Sequence, residues 1–514
     1  MTIPMPNLKT SKLWLTPAIY VMAAMALAAT APAQAQPRPA AAIDQTAKTD
    51  KALRIKTLVS QYHAIGQLNG AVLVADHGKV VYQGAFGLAS HEWKIPNGTD
   101  TAFRIASLTK QFTATLVMQL VEQGKIRLDD KIGVYVPDLR ADIGSQVTIH
   151  QLLNHTSGIV DYANFPGFWE NRLGAKVTRA EFLEIMNRDL EFAPGSAGKY
   201  NSSGYYLLGY VIEKATGKSF QRALDDMILQ PLHMERSGYE SPARIVARKA
   251  TGYVRAPGGA FESAAPMYMP NGYSAGGMFS TVGDLLRWDR ALNGTKLLSE
   301  SAKQSMFTPY VKDDIRGDLG YGYGWMIGNR KVGGRDVTVH EHGGNTNGFR
   351  SLITRFPQDQ RLVVILLNDG GGTITPAIYK LSAAITSALY DLPTPAPQRA
   401  LADTLAQAIA RHGPDAAVAN FQQSPGTFPA VDGANELNLL GYHYLTQDRL
   451  PEAIAVFQVN VELFPKDGNA YDSLGEAYMV QGDTTRAIAN YRRALALEPT
   501  NSNAVEMLRR LEAK

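Results

Sequence analysis

The chain has 514 residues, 45% of them hydrophobic and 19% charged, and none of them Cys. These fractions are ordinary for a folded protein and exclude a disordered or fibrous polymer, while a net charge of +4 with no basic stripe argues against a dedicated nucleic-acid binder. The absence of Cys excludes disulfides, thiol nucleophiles, zinc ribbons and iron–sulfur ligation together, so any nucleophile must be oxygen- or nitrogen-based.

Lys9 and Lys12 precede an apolar run from Leu13 to Ala29, and Ala33 and Ala35 follow with the A-x-A spacing of a cleavage site. That order predicts a secretory signal peptide over residues 1–35 and a periplasmic or secreted mature chain. The run is at the short end for a membrane span and carries Pro17, so a retained anchor is not expected. Residues 36–50 are Pro/Ala-rich and read as a linker. A helix is predicted from Lys51 to Gly66, then a hairpin of Ala71–Ala75 and Val80–Tyr82 around His77-Gly78. Strand patterning returns at Val337–His342, Phe349–Phe356 and Arg361–Leu367, and a helix is expected over Pro376–Tyr390. Strands at both ends of a mostly helical region predict an α+β domain over 51–390, an antiparallel sheet with a helical insertion. The Pro-rich joint Leu392–Pro397 ends it.

Beyond the joint lies a repeat. Gly441 and Gly475, Tyr444 and Tyr478, Ala453 and Ala487, Phe457 and Tyr491, and Pro465 and Pro499 are each 34 residues apart. This register resembles the tetratricopeptide repeat, an all-α module of stacked helix pairs, here over 431–514. Two units are fewer than the roughly three such a stack needs. The segment Leu401–Phe421, within 391–430, is therefore expected to add a degenerate third pair.

The nucleophile candidate is Ser107-Leu-Thr-Lys110, just before a run with Phe112, Leu116, Val117, Leu120 and Val121 at helical spacing. At i and i+3 the two side chains share a face, and a helix start points free N–H groups at the serine. A hydroxyl becomes a nucleophile when a neighbouring base takes its proton, and a lysine in a dry pocket has its pKa lowered toward that role. Alone the pattern is weak. A second copy, Ser196-Ala-Gly-Lys199, sits in a Gly-rich loop.

The context is more specific. Phe103–Lys110, Leu152-Leu-Asn-His-Thr-Ser-Gly158, Pro194-Gly, Tyr200-Asn-Ser202 with Gly204-Tyr-Tyr-Leu-Leu-Gly209, Gly276–Thr281 with Asp284-Leu285, and His342-Gly-Gly344 with Gly348-Phe349 occur in that order. Over residues 51–390 the chain resembles the class C β-lactamase and penicillin-binding-protein superfamily. The resemblance implies that Ser107 forms an acyl-enzyme, Lys110 is its base and Tyr200 shuttles protons. It also implies an oxyanion hole made by the backbone N–H groups of Ser107 and Asn345, with Gly343 and Gly344 keeping the strand edge open.

Three departures bear on the substrate. Ser202 stands where the tyrosine motif often has Asn, and Ser reaches less far toward a substrate amide. His342 stands where the lactamases have Lys, and a neutral His attracts no substrate carboxylate; Arg350 is a possible substitute cation. The Ser-Asp-Asn and Lys-Thr-Gly set of class A enzymes is absent. His340-Glu-His342 resembles part of a zinc site but the sequence places no third ligand, so no metal and no cofactor is expected. His155 and Asp284 read as structural, and Gly370–Gly372 as a turn. The expectation is an exported serine hydrolase for amides or esters, with peptidase or esterase action favoured over efficient β-lactamase action. The alternative is a sensor that acylates without turnover, or an interaction protein whose repeats bind a peptide or protein partner.

Overall fold

The computed structural model describes residues 50–512 apart from 170–171, 257–258, 313–318, 371–374 and 425–433. The expected signal peptide and most of the linker lie outside the described residues, as do Gly371 and Gly372. Among the described residues no helix is long and apolar enough to cross a membrane. The chain divides into two compact units, residues 43–431 and, at the C-terminus, 432–514.

The larger unit is built on an eight-stranded antiparallel sheet. In chain order its strands are β1 (Gly70–Asp76), β2 (Lys79–Phe86), β3 (Val311–Lys312), β4 (Gly320–Tyr321), β5 (Met326–Val332), β6 (Arg335–Thr346), β7 (Gly348–Phe356) and β8 (Arg361–Gly370). In space they run β3-β4-β5-β6-β7-β8-β1-β2. The last strand therefore pairs with the first, Val72 opposite Ile365, and the whole helical region is an insertion between β2 and β3. The expected α+β plan is the observed one.

The strands sort their side chains by the period of two. Val72, Val74, Val363, Ile365 and Leu367 face Leu58, Val59, Leu381 and Ile385 of two helices, α1 (Asp50–Ala64) and the helix closing the domain, Thr375–Leu389. Leu73, Ala75, Ile353, Val364 and Leu366 face the insertion. At its centre runs α2 (Thr109–Glu122), in which every residue from Thr109 to Met118 is buried. The sequence predicted one apolar face; the helix is enclosed all round, so its Thr and Gln side chains spend their polar atoms inside the protein. Thr113 donates to the Ser274 carbonyl at 2.7 Å, and Gln111 Oε1 accepts from the Trp288 indole at 2.9 Å. Among the other helices of this unit are α3 (Ser202–Thr216) and α4 (Val282–Asn293), and the closing helix Thr375–Leu389 is α5.

Two more helices follow the Pro-rich joint, α6 (Leu401–His412) and α7 (Pro414–Gln423). They form a pair, as expected, but they belong to the larger unit and not to the repeats. The physical reason is an ion pair: Arg255 Nη1 donates to Asp403 Oδ2 at 2.7 Å, with side-chain exposures of 4% and 1%. Gln67 also donates to the carbonyl of Gln398, just before α6.

Among the described residues the repeat unit has five helices: α8 (Asn435–Thr446), α9 (Leu450–Leu463), α10 (Gly468–Gln481), α11 (Thr484–Leu497) and α12 (Ser502–Glu512). The 34-residue register falls on two helix pairs. A side chain at Gly441 would strike the Phe457 ring, which is why the repeat needs glycine there. The added helix is therefore α12, tied to the second pair by Asn503 donating to Asp472 at 2.9 Å.

Candidate active site

Ser107 lies in a single 3-10 turn, Ala106–Leu108, that leads directly into α2. Ala106 has φ +46°, a left-handed conformation that costs a non-glycine residue about 1 kcal/mol or more. It is held there from both sides. The Ile105 N–H donates to the Met278 carbonyl at 3.0 Å, Ser351 Oγ donates to the Ile105 carbonyl at 2.8 Å, and Thr109 Oγ1 donates to the Ala106 carbonyl at 2.7 Å. The strain turns the chain so that Ser107 is partly exposed while its neighbours are buried.

Lys110, one helical turn on, is fully buried. Its Nζ lies 3.2 Å from Ser107 Oγ, 3.4 Å from Ser202 Oγ and 3.0 Å from the Ala275 carbonyl. It also sits 4.9 Å from the centroid of the Tyr200 ring. Burial lowers its pKa to about 7, against the pull of the Asp161 charge, so near neutral pH a large fraction is the free amine. That amine can take the proton of Ser107.

The structure brings Tyr200 and Ser202 to this point and sends Asn201 elsewhere. Asn201 caps α3 by accepting from the Gly204 N–H at 2.8 Å, and it donates to the Ile159 carbonyl. Ser202 therefore takes the place beside Lys110. Tyr200 packs against His155, ring centroids 4.5 Å apart, and lies 6.0 Å from the His342 ring. His155 is held neutral by burial, and its Nδ1 accepts from the Asn201 N–H at 3.2 Å.

His342, Gly343, Gly344 and Asn345 form the far end of β6. The partner β5 ends opposite Glu341, at Met326, so from His342 onward no described strand pairs with that side of β6. The open edge is thus set by where β5 stops. The glycines have a different cause than an open edge: a side chain on Gly344 would collide with the Ile105 carbonyl and Ser351 Oγ, and one on Gly343 with the Tyr379 hydroxyl. Gly344 lets β6 lie against the turn that carries Ser107, while Gly343, on the opposite face, makes room for Tyr379 of the closing helix.

His342 is buried and its pKa falls to about 3, from burial first and then the Lys110 charge. Its Nδ1 lies 2.7 Å from the Gly343 carbonyl, which only accepts, so Nδ1 carries the proton. Nε2, 3.0 Å from Tyr321 Oη, must then accept from the tyrosine. Both ring nitrogens are engaged and the ring is neutral. Arg350 does not replace a cation in the cleft. Its neighbour Ser351 points to Ile105, so by strand alternation Arg350 points to the opposite face, where Asp369 and Tyr379 act on it.

Other sequence candidates have local uses. His340 stacks on Phe307 at 4.3 Å, and Glu341 accepts a two-pronged contact from Arg330. Asp284 accepts from the Arg236 N–H and Ser237 Oγ, tying α4 to the chain before it. Ser196 donates to the Ala193 carbonyl and Lys199 pairs with Glu191, so the second Ser-x-x-Lys copy is a loop.

Three participants escaped the sequence. Asp161, buried, accepts from the Ser202 N–H at 3.0 Å and the Ser203 N–H at 3.3 Å, and its charge acts on Lys110. Its own pKa is raised by burial, with those N–H groups and Lys110 opposing. Tyr321 fixes His342, and the Ala275 carbonyl holds Lys110. Only Asp161 left a trace, a lone acid in the apolar run Ile159-Val-Asp-Tyr162.

Known proteins match this architecture. The β-lactamase family profile covers residues 55–384, and the tetratricopeptide repeat profile covers 468–501. Penicillin-binding protein 4* of Bacillus subtilis is 31% identical over 435 residues, spanning 81% of this chain and 90% of the relative. Esterase EstB of Burkholderia gladioli is 32% identical over 336 residues, 56% of this chain and 83% of the relative. The crystal structure of a penicillin-binding protein from Bacillus halodurans superposes with a TM-score of 0.55 at 29% identity, covering 63% of this chain and 98% of that one.

Proposed function

The chain belongs to the β-lactamase family, and on that premise we propose that it is an exported serine hydrolase that opens esters or amides lacking a carboxylate next to the scissile bond. Lys110 takes the proton of Ser107 as Oγ bonds to the substrate carbonyl carbon. The N–H groups of Ser107 and Asn345 hold the oxyanion. Tyr200 passes a proton to the departing oxygen or nitrogen as that bond breaks. Water then attacks the acyl-enzyme, gives its proton back through Tyr200 and Lys110, and releases the acid and free Ser107.

The observation that carries the substrate class is His342. A neutral ring engaged by both Tyr321 and Gly343 offers no charge to a substrate carboxylate. Ser202 contacts Lys110 where a longer Asn would also reach an amide, which supports the ester branch that esterase EstB represents among the relatives. Export rests on the Lys9, Lys12 and Ala33-x-Ala35 plan. The repeat unit is read as a docking module for a peptide segment of a partner protein.

The test compares a short nitrophenyl ester, a fluorescent penicillin and a D-Ala-D-Ala peptide on the mature protein. Steady ester turnover with little action on the two carboxylate substrates is expected. Efficient penicillin or D-Ala-D-Ala turnover would refute the substrate class, and a single burst with no steady state would identify a sensor.

A further inference from the structure

The repeat unit holds a polar face that the hydrolase does not use. Asn438 and Tyr442 on α8, and Asp472 and Glu476 on α10, are each four residues apart and so share one side of their helix. Tyr442 Oη donates to Glu476 at 2.8 Å, and Asn503 of α12 donates to Asp472 Oδ2 at 2.9 Å. The face is therefore continuous across α8, α10 and α12.

It holds acceptor oxygens that no donor meets. Asp472 Oδ1, Asn438 Oδ1 and the Tyr491 hydroxyl are buried without a hydrogen-bond partner. The residues are 6%, 7% and 0% exposed, and Tyr491 on α11 lies within electrostatic range of both Asp472 and Glu476. Burial, with Glu476 and Glu498 adding to it, raises the Asp472 pKa against the opposing hydrogen bonds of the Asn503 and Asn501 side chains. A buried acceptor left without a donor costs about 1–3 kcal/mol, and a second carboxylate nearby adds repulsion. Five of the seven basic residues described in the unit pair with other carboxylates: Arg509 and Arg510 with Glu506, Arg492 with Glu512, Arg486 with Asp483 and Arg449 with Glu452. Residues 434–512 carry eleven acidic and seven basic residues in a chain whose net charge is +4.

We propose that this face docks a lysine- or arginine-bearing segment of a protein partner, its cationic group donating to Asp472, Asn438 and Glu476. An ammonium supplies three donors and a guanidinium five, together with the charge that two adjoining carboxylates need. A neutral segment could donate to the acceptors but brings no charge to offset the two carboxylates, and an acidic one would add to their repulsion. The proposal rests on reading the repeats as a peptide-docking module, and the test separates the two.

The experiment is fluorescence anisotropy of the mature full-length protein with three labelled nonapeptides: alternating Lys/Gly, Glu/Gly and Ser/Gly. The Lys peptide is expected to bind and to weaken at higher salt. It should weaken about tenfold or more in the Asp472→Asn/Glu476→Gln double variant, which keeps the hydrogen bonds to Asn503 and Tyr442. The variant should melt at or above the parent's temperature, since it removes the carboxylate repulsion, and its ester turnover should match the parent's. Binding of the Glu or Ser peptide in preference to the Lys peptide would overturn the cationic specificity and leave the docking module standing. No binding of any peptide, or equal Lys-peptide binding by the variant, would overturn the proposed site.

Discussion

At the scale of single residues the site is an arrangement for holding one amine partly deprotonated near neutral pH. Lys110 is buried among Ser107, Ser202 and the Ala275 carbonyl, and burial outweighs the opposing charge of Asp161. A base must be deprotonated to act, so kcat/KM for an ester should rise with pH through about 7. Removing the Asp161 charge in Asp161→Asn takes away an influence that raises the Lys110 pKa, so the limb should move to lower pH. A pH–rate profile of the two proteins checks both statements; an upward move would contradict the assignment of Asp161. Gly344→Ala places a methyl group against the Ile105 carbonyl, one residue before the strained Ala106. Overpacking of this kind costs about 1–3 kcal/mol, and here it would push the Asn345 strand end away from Ser107. A large loss of kcat is expected with a smaller loss of melting temperature. Ser107 and Lys110 were legible as a pair three positions apart on one helical turn, but that pattern alone was weak and their roles came from the family resemblance. Tyr200, Ser202, His342 and Asn345 were reached only through a family resemblance. Asp161 and Tyr321 were not reached, since their roles depend on which distant segments fold against Lys110 and His342.

At the scale of elements, the hairpin and the last three strands were readable as short apolar runs bounded by turns, although β7 and β8 are buried along almost their whole length and do not alternate. The register of β8 against β1 was not, since it joins segments almost 300 residues apart. The helices α6 and α7 show a second limit. Their apolar pattern fits a repeat pair, but the deciding contact is Asp403 against Arg255, two residues separated by 148 positions. Asp403→Ala leaves the Arg255 guanidinium buried without this carboxylate, and breaking a buried pair typically costs about 3–5 kcal/mol. Chemical denaturation of the variant should show that loss in the larger unit. A change within experimental error would mean that α6 is not held by this pair.

At the scale of the whole molecule, the chain carries a unit with the β-lactamase fold and a separate repeat unit, each with its own buried core. A protein cut after residue 424 is expected to keep its ester turnover and its principal unfolding transition, since Ser107, Lys110, Tyr200 and Asn345 and every described contact to them lie within the retained unit. Calorimetry and ester kinetics of the shortened protein check this. The central claim is that Ser107 is the acylated nucleophile. Its most direct test is intact-mass and peptide-mapping analysis after exposure to a fluorophosphonate, beside a Ser107→Ala control. A single adduct on the peptide containing Ser107, absent from the control, is the expected result; an adduct at another serine, or one that survives Ser107→Ala, would contradict it.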